Sequence, residues 1–236
     1  MTVGTPCVTV PSVLREQLAR VRERIRLACE RCGRPPSAVT LVGVTKTVPI
    51  EVLREAAALG LADVGENRVQ EAQEKQEALG FRLHDSGSKM QPVAGSLQPV
   101  RWHLIGHLQR NKAKLAVELF DVIHSIDSTR LVQELGSAAR HKLQATGRPL
   151  DVFIQVNVSG ESTKFGCRPE DAPQVAEAIA RFPQLALKGL MTIAPYAADA
   201  EAARPHFRRL RELRDALVDT KHLQPAACSL SMGMSQ

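Results

Sequence analysis

Thr40-Leu41-Val42-Gly43-Val44-Thr45-Lys46-Thr47-Val48-Pro49 decides how the rest of the chain is read. Its first part, Thr40–Thr45, is a short apolar run with β-branched residues, the pattern of a strand. Pro49 stands where a proline opens a helix well. The helical spacing that follows, Pro49–Leu59, stops at Gly60, a residue type that commonly ends helices. Strand, lysine, helix is therefore the local order. The same alternation recurs on working outward. Strand-like runs follow at Ala62–Gly65, Trp102–Gly106, Asp121–Ile126, Val152–Val158, Leu187–Ile193 and Ala227–Met232. Helical patterns lie between them at Arg68–Leu79, Asn111–Leu119, Thr129–Gln144, Pro169–Arg181 and Glu201–Val218, with an extra helix, Ser12–Cys32, in front.

Strands that alternate with helices imply βαβ units and a mostly parallel sheet. Most of the runs are almost continuously apolar, as expected when helices cover the sheet. A closed (β/α)8 barrel needs eight strands and typically about 250 residues. Seven strands with a leading helix fit such a barrel better than an open doubly wound sheet, although the 236 residues end just after the seventh run. Residues 1–236 are read as one barrel domain, with 1–39 as its N-terminal extension and leading helix. Gly80–Val100, with Gly87, Pro92, Gly95 and Pro99, breaks the rhythm and reads as a long surface loop.

Composition narrows the function. Hydrophobic residues make up 44% and charged residues 24%, which excludes disorder as a whole-chain description. Aromatics are only 3%, so the core is built from Leu, Val, Ile and Ala, and few rings remain to stack bases. The net charge of +6 favours anionic partners, but the basic residues are interleaved with acids and form no dense block. No nucleic-acid partner is expected. No apolar run approaches the roughly 20 residues of a membrane span. Met1–Pro11 carries no basic residue before an apolar stretch, so no signal peptide is expected. Five cysteines suit a reducing compartment, and the cytoplasm is the expected location. Cys29-x-x-Cys32 lies within a predicted helix and reads as helix surface and packing.

In parallel α/β folds functional residues gather at the C-terminal ends of strands. Lys46 ends the first. An ammonium at a barrel mouth is expected to be desolvated, which favours the free amine, and a free amine attacks carbonyls. The plainer reading is a lysine that closes a strand and reaches solvent. Ser231-Met232-Gly233-Met234-Ser235 follows the seventh strand. Small residues and hydroxyls there suit a phosphate, which barrels often bind after strands seven and eight. The plainer reading is a chain end without a ligand. Gly65-Glu66-Asn67 offers a carboxylate and an amide. His103 and His107 flank the third strand, with His103 and Leu104 on opposite faces. There is no Cys/His set of metal-binding spacing, no P-loop and no dinucleotide fingerprint.

Taken together, several segments carry a family resemblance. They are Val42–Thr47, Gly65-Glu66-Asn67-Arg68-Val69-Gln70-Glu71, Trp102–Lys112, Ile154–Asn157, Ser162-Thr163-Lys164-Phe165-Gly166, Gly189–Ile193 and Leu230–Ser235. The chain resembles the pyridoxal 5′-phosphate homeostasis proteins, single-domain relatives of the alanine racemase barrel. The resemblance implies a fold-type III barrel that carries pyridoxal 5′-phosphate as a Schiff base on Lys46. It implies that Ser231 and Gly233 help hold the phosphate, that Asn67 lies close to the cofactor and that Lys164 stands near the site. It also implies a protein that buffers the cofactor and delivers it to apo-enzymes without established catalysis; a monomer or weak dimer is expected.

Two alternatives stay open. A racemase-like enzyme needs acid–base groups on both faces of its substrate, and the single tyrosine, Tyr196, falls in a predicted loop. The other is a barrel that has lost cofactor binding. The family continues into an eighth strand that this sequence lacks. An open seam between the first and seventh strands is expected, with weak cofactor affinity and reduced stability. Val48 and Arg68 also replace residues common in the family.

Overall fold

The computed structural model describes residues 13–82, 91–92, 100–195, 199–225 and 228–233. The elements run α1 (Val13–Arg31), β1 (Val42–Val44), α2 (Ile50–Ala58), β2 (Asp63–Glu66), α3 (Val69–Ala78), β3 (Phe81–Arg82), β4 (Gln91–Pro92), β5 (Arg101–Leu104), α4 (Ala113–Leu119), β6 (Val122–Ile126), α5 (Thr129–Thr146), β7 (Leu150–Gln155), α6 (Ala172–Ala180), β8 (Leu185–Met191), α7 (Arg204–Asp219) and β9 (Ser229–Ser231). Seven strands form one sheet in the order β1-β2-β5-β6-β7-β8-β9, every neighbour parallel. The result is a curled, open (β/α) barrel with a leading helix. Strands β1 and β9 are its two edges.

The seven expected strands are all present with shifted bounds. β7 and β8 begin two residues earlier than their apolar runs, because Leu150 pairs with Leu185 and Asp151 with Ala186. Backbone pairing sets a strand's start, and Asp151 is tolerated because it finds cationic partners. The Gly80–Val100 loop needs correction, since it contains the antiparallel pair β3–β4. Residues 83–90 and 93–99 lie outside the described residues. Pro169 opens a 3-10 turn, Pro169–Asp171, and the α-helix starts at Ala172 with Pro173 in its first turn. A 3-10 turn, Ala200–Ala203, likewise precedes α7, which has Pro205 in its first turn. In both cases the missing proline N–H costs nothing where no intrahelical partner exists.

Alternation separates two faces of the sheet. Val64, Trp102, Leu104, Ile123, Val152, Ile154 and Leu190 turn towards the helices and join one apolar cluster with Leu53, Ala72, Leu131, Leu135 and Ile179. Phe120, Leu53, Leu104, Ile123 and Ile154 are fully buried there. Helix α1 is mostly exposed and buries only Cys29. It is tied down by Arg22, which donates to the Leu59 and Gly60 carbonyls at the end of α2 (3.1 and 2.8 Å). Cys32 is exposed, and both cysteines are free thiols.

Helix α5 has a single side-chain cap, Ser128, whose hydroxyl accepts from the Leu131 N–H at 3.4 Å. Ser128→Ala is expected to cost about 1 kcal/mol. That corresponds to a fall of roughly 2–4 °C in the thermal midpoint of a chain this size, read by circular dichroism.

Candidate functional site

Lys46 follows β1 on the inward-facing parity of Val42 and Val44. Its backbone is held tightly. The Thr45 N–H donates to the Gly65 carbonyl (2.9 Å), and the Val48 N–H donates to the Thr45 carbonyl (2.9 Å), closing a turn. Thr47 occupies that turn at φ +60°, a conformation β-branched residues rarely adopt. It persists because α3 holds the turn. Glu71 accepts from the Thr47 N–H at 2.6 Å, and Lys75 donates to the Thr45 carbonyl at 2.5 Å. Lys75 also meets Glu66 and Glu71, each at 2.8 Å, and Thr45 donates its hydroxyl to Glu66 at 2.6 Å. Glu66 is wholly buried, and its Oε2 has no partner among the described residues. Burial opposes the Lys75 charge, but Glu66 and Glu71 outweigh it and raise the pKa. The Lys75 hydrogen bond holds the Glu71 carboxyl below its ordinary range.

The expectation of a desolvated Lys46 is corrected here. Its side chain is exposed, and among the described residues β1 is an edge strand with no neighbour on its far side. No hydrogen bond or ion pair of its amine occurs among the described residues.

The other expected residues stand at neighbouring strand ends. Asn67 is half-buried after β2 and packs its backbone against Gly106, after β5, where a Cβ would fall on the Asn67 carbonyl. Lys164 lies in the loop after β7, reaches the Ala194 carbonyl at 3.4 Å and is half-buried. Asn157 organises that loop by donating to the Glu161 carbonyl (2.8 Å) and accepting from the Ser159 hydroxyl and the Gly160 N–H (3.0 and 3.1 Å). Phe165 is 57% exposed and stacks on His107 at 3.9 Å. A cleft of about 440 Å³ opens beside this stack, lined by His107, Arg110, Asp127, Ser128 and Arg130; its lining includes neither Lys46 nor Ser231. Ser231 ends β9, the opposite edge from Lys46, and its carbonyl accepts from the Thr192 N–H at 3.1 Å. Gly233 follows at φ +89°, with nothing within 4 Å of where a Cβ would sit. Met234, Ser235 and Tyr196 lie outside the described residues.

One cluster was missed by sequence reasoning. Asp63, His103, His124 and Ser231 join in a row on the inner face. Asp63 Oδ1 meets His103 Nε2 at 2.9 Å, His103 Nδ1 meets His124 Nε2 at 2.9 Å, and His124 Nδ1 meets Ser231 Oγ at 2.8 Å. Two strands separate β6 from β9, so the last bond crosses the inside of the barrel. Arg101 and Lys188 flank the row through Asp63 and Asp151 (3.7, 3.2 and 3.2 Å). Burial pushes His124 down to about 3, helped by His103 and Arg101. The folded chain thus refuses a proton that the unfolded imidazole takes. This contribution to stability is complete above the unfolded value near 6.5 and is lost as pH falls towards 3. Strand parity was the available signal: Asp63, His103 and His124 are polar residues at inward positions of otherwise apolar runs.

A family model described as the alanine racemase N-terminal domain matches residues 17–236. The chain therefore belongs to that fold family, in keeping with its parallel sheet and strand-end lysine. Within it, the chain belongs to the pyridoxal phosphate homeostasis protein family. The protein of that name from Pseudomonas aeruginosa PAO1 is 42% identical over 224 residues, covering 95% of this chain and 86% of that protein. The one from Aquifex aeolicus VF5 is 42% identical over 220 residues, covering 93% and 87%. PipY of Synechococcus elongatus PCC7942, solved with PLP bound, is 31% identical with a TM-score of 0.71, covering 93% of this chain and 96% of that one. Among the described residues, no helix is long and apolar enough to cross a membrane.

Proposed function

We propose that this protein binds pyridoxal 5′-phosphate reversibly at the barrel mouth and serves to hold and release it inside the cell, with no substrate turnover of its own. The observation that carries this reading is Lys46, an exposed amine with no described partner, presented by a turn that α3 clamps on both sides.

The donor set fits the cofactor. When bound, pyridoxal phosphate supplies an aldehyde that condenses with a primary amine and releases water. Lys46 presents that amine. Ser231 supplies a hydroxyl, and the backbone at Gly233 leaves open the space a side chain would fill, so an anion can approach the main chain. Asn67 offers an amide on the next strand end, and Lys164 a second amine near the mouth. All five residues stand at C-terminal ends of strands or in the loops after them. The carrier reading extends to delivery to enzymes that need the cofactor.

Borohydride reduction of the protein with pyridoxal phosphate, followed by peptide mass spectrometry, tests the reading. The tag is expected on Lys46 and is expected to vanish in Lys46→Ala. A tag mainly on another residue, or no tag, overturns it.

A further inference from the structure

The row Asp63–His103–His124–Ser231 has a property that its distances fix. A neutral imidazole carries one N–H and one lone pair. His103 and His124 are each 4% exposed, and every ring nitrogen already has a partner in the row at 2.8 or 2.9 Å. With Asp63 ionised, the row holds either three protons or four. With three, His103 Nε2–H donates to Asp63, His124 Nε2–H donates to His103 Nδ1, and the Ser231 hydroxyl donates to His124 Nδ1. The serine proton is then spent, and its oxygen turns lone pairs to the mouth. With four, His124 Nδ1–H donates to Ser231 Oγ, and the serine O–H is free to point outward.

We propose that phosphate capture at Ser231 is coupled to the uptake of one proton by the Asp63–His103–His124 row. The proposal rests on the reading of Ser231 and Gly233 as the phosphate site. The protons balance. Ser231 passes its own proton to His124 Nδ1, His124 passes its Nε2 proton to His103 Nδ1, and solvent at the mouth replaces the serine proton. The added charge settles on His103, against the Asp63 carboxylate, while His124 stays neutral and changes tautomer. The surroundings are mixed in sign. Asp63 from β2 and Asp151 from β7 favour the extra proton. Arg101 from β5 opposes it and is itself paired to both carboxylates, and Lys188 from β8 is paired to Asp151. Phe153 of β7 stacks on His124 at 4.6 Å and holds its ring plane. An arriving phosphate dianion tips the balance, because lone pairs on Ser231 repel it and an O–H donor binds it. His103 and His124 are thus positioning residues that set which way Ser231 donates.

Pyridoxine 5′-phosphate is the probe, since it carries the same phosphate but no aldehyde to condense with Lys46. Calorimetric titration near pH 8, in buffers of different ionisation heat, is expected to show uptake of about one proton per ligand. The association constant is expected to fall about tenfold per pH unit there. His103→Gln, which cannot take the charge, is expected to bind more weakly with uptake near zero and a flat pH profile. A merely structural histidine would lower affinity and leave the proton count unchanged. Nitrogen-15 spectra of the unaltered protein are a second readout that no variant can spoil. His124 is expected to switch from the Nε2–H to the Nδ1–H form on binding. Binding without proton uptake or tautomer change overturns the coupling and leaves the phosphate site standing. No binding of the probe overturns both.

Discussion

Lys75→Met is expected to destabilise the fold by about 3–5 kcal/mol, the scale on which breaking one side of a buried ion pair acts. Lys75 is the shared donor of three acceptors: the Thr45 carbonyl, Glu66 and Glu71. Methionine has similar reach and no charge. It would leave Glu66 buried with one oxygen already unpartnered and the other held only by the Thr45 hydroxyl. Urea denaturation measures the loss. If the unpaired carboxylate is the cause, adding Glu66→Gln to Lys75→Met recovers more than about 1 kcal/mol, as a double-mutant cycle between touching residues reports. Equal losses in the single and double variants would contradict that account. Acid acts on the same cluster. Glu71 titrates below its ordinary value of 4.5, so its contribution is intact above 4.5 and is lost as pH falls below it.

The same substitution reaches the amine. The strained φ of Thr47 is held by Glu71 and by the Lys75 bond one residue before Lys46. Residues in sparsely populated backbone regions persist only when their surroundings over-determine them. Without Lys75 the turn relaxes, and borohydride labelling of Lys46 is expected to slow even where the chain remains folded. The Lys75–Glu66 pair, between α3 and the end of β2, therefore links fold stability to the placement of Lys46.

The sequence was legible where physics is local. Apolar runs of four to seven residues with helices between them read directly as the parallel strands, and Gly60 marked the end of α2. Strand ends were legible too, so Lys46, Asn67, Ser231 and Gly233 fell where the fold rule places functional groups. Exposure was not legible. Whether Lys46 is desolvated depends on whether β1 has a second neighbour, which is a property of closure and not of the run Thr40–Thr45. The inward row was hidden for a related reason. Asp63, His103 and His124 lie 40 and 21 residues apart in the chain, and only the β2–β5–β6 register brings them together. Lys75 and Glu71 are an ordinary i, i+4 helix pair by spacing. Nothing in that spacing says that Glu66 lies buried beneath them.

Gly189→Ala is expected to detach β9, the edge proposed to hold the phosphate, while the rest of the sheet stays folded. Gly189 sits at a bulge, where the β7–β8 register shifts between Val152 and Phe153. Its φ is +151°, which an L side chain rarely adopts, and a Cβ there would fall on the Ser229 carbonyl. Strain of this kind costs about 1–3 kcal/mol before any clash. The clash cannot be relieved by rotating a flexible side chain, because the opposing atom is the backbone of the paired strand. Among the described residues β9 pairs in the sheet only with β8, through Gly189, Leu190 and Met191 opposite Ser229, Leu230 and Ser231. Displacing its first residue undoes a three-residue ladder and takes the Ser231–His124 bond with it. Far-ultraviolet circular dichroism is expected to change little, amide protection in Leu230 and Ser231 to disappear, and pyridoxine 5′-phosphate binding to be lost. Gly233→Ala is the control. It meets open space and carries only the conformational penalty of its positive φ, so on the proposed site it is expected to weaken phosphate binding without freeing the strand. Wild-type protection of β9 in Gly189→Ala would show that the bulge yields where the backbone geometry says it cannot.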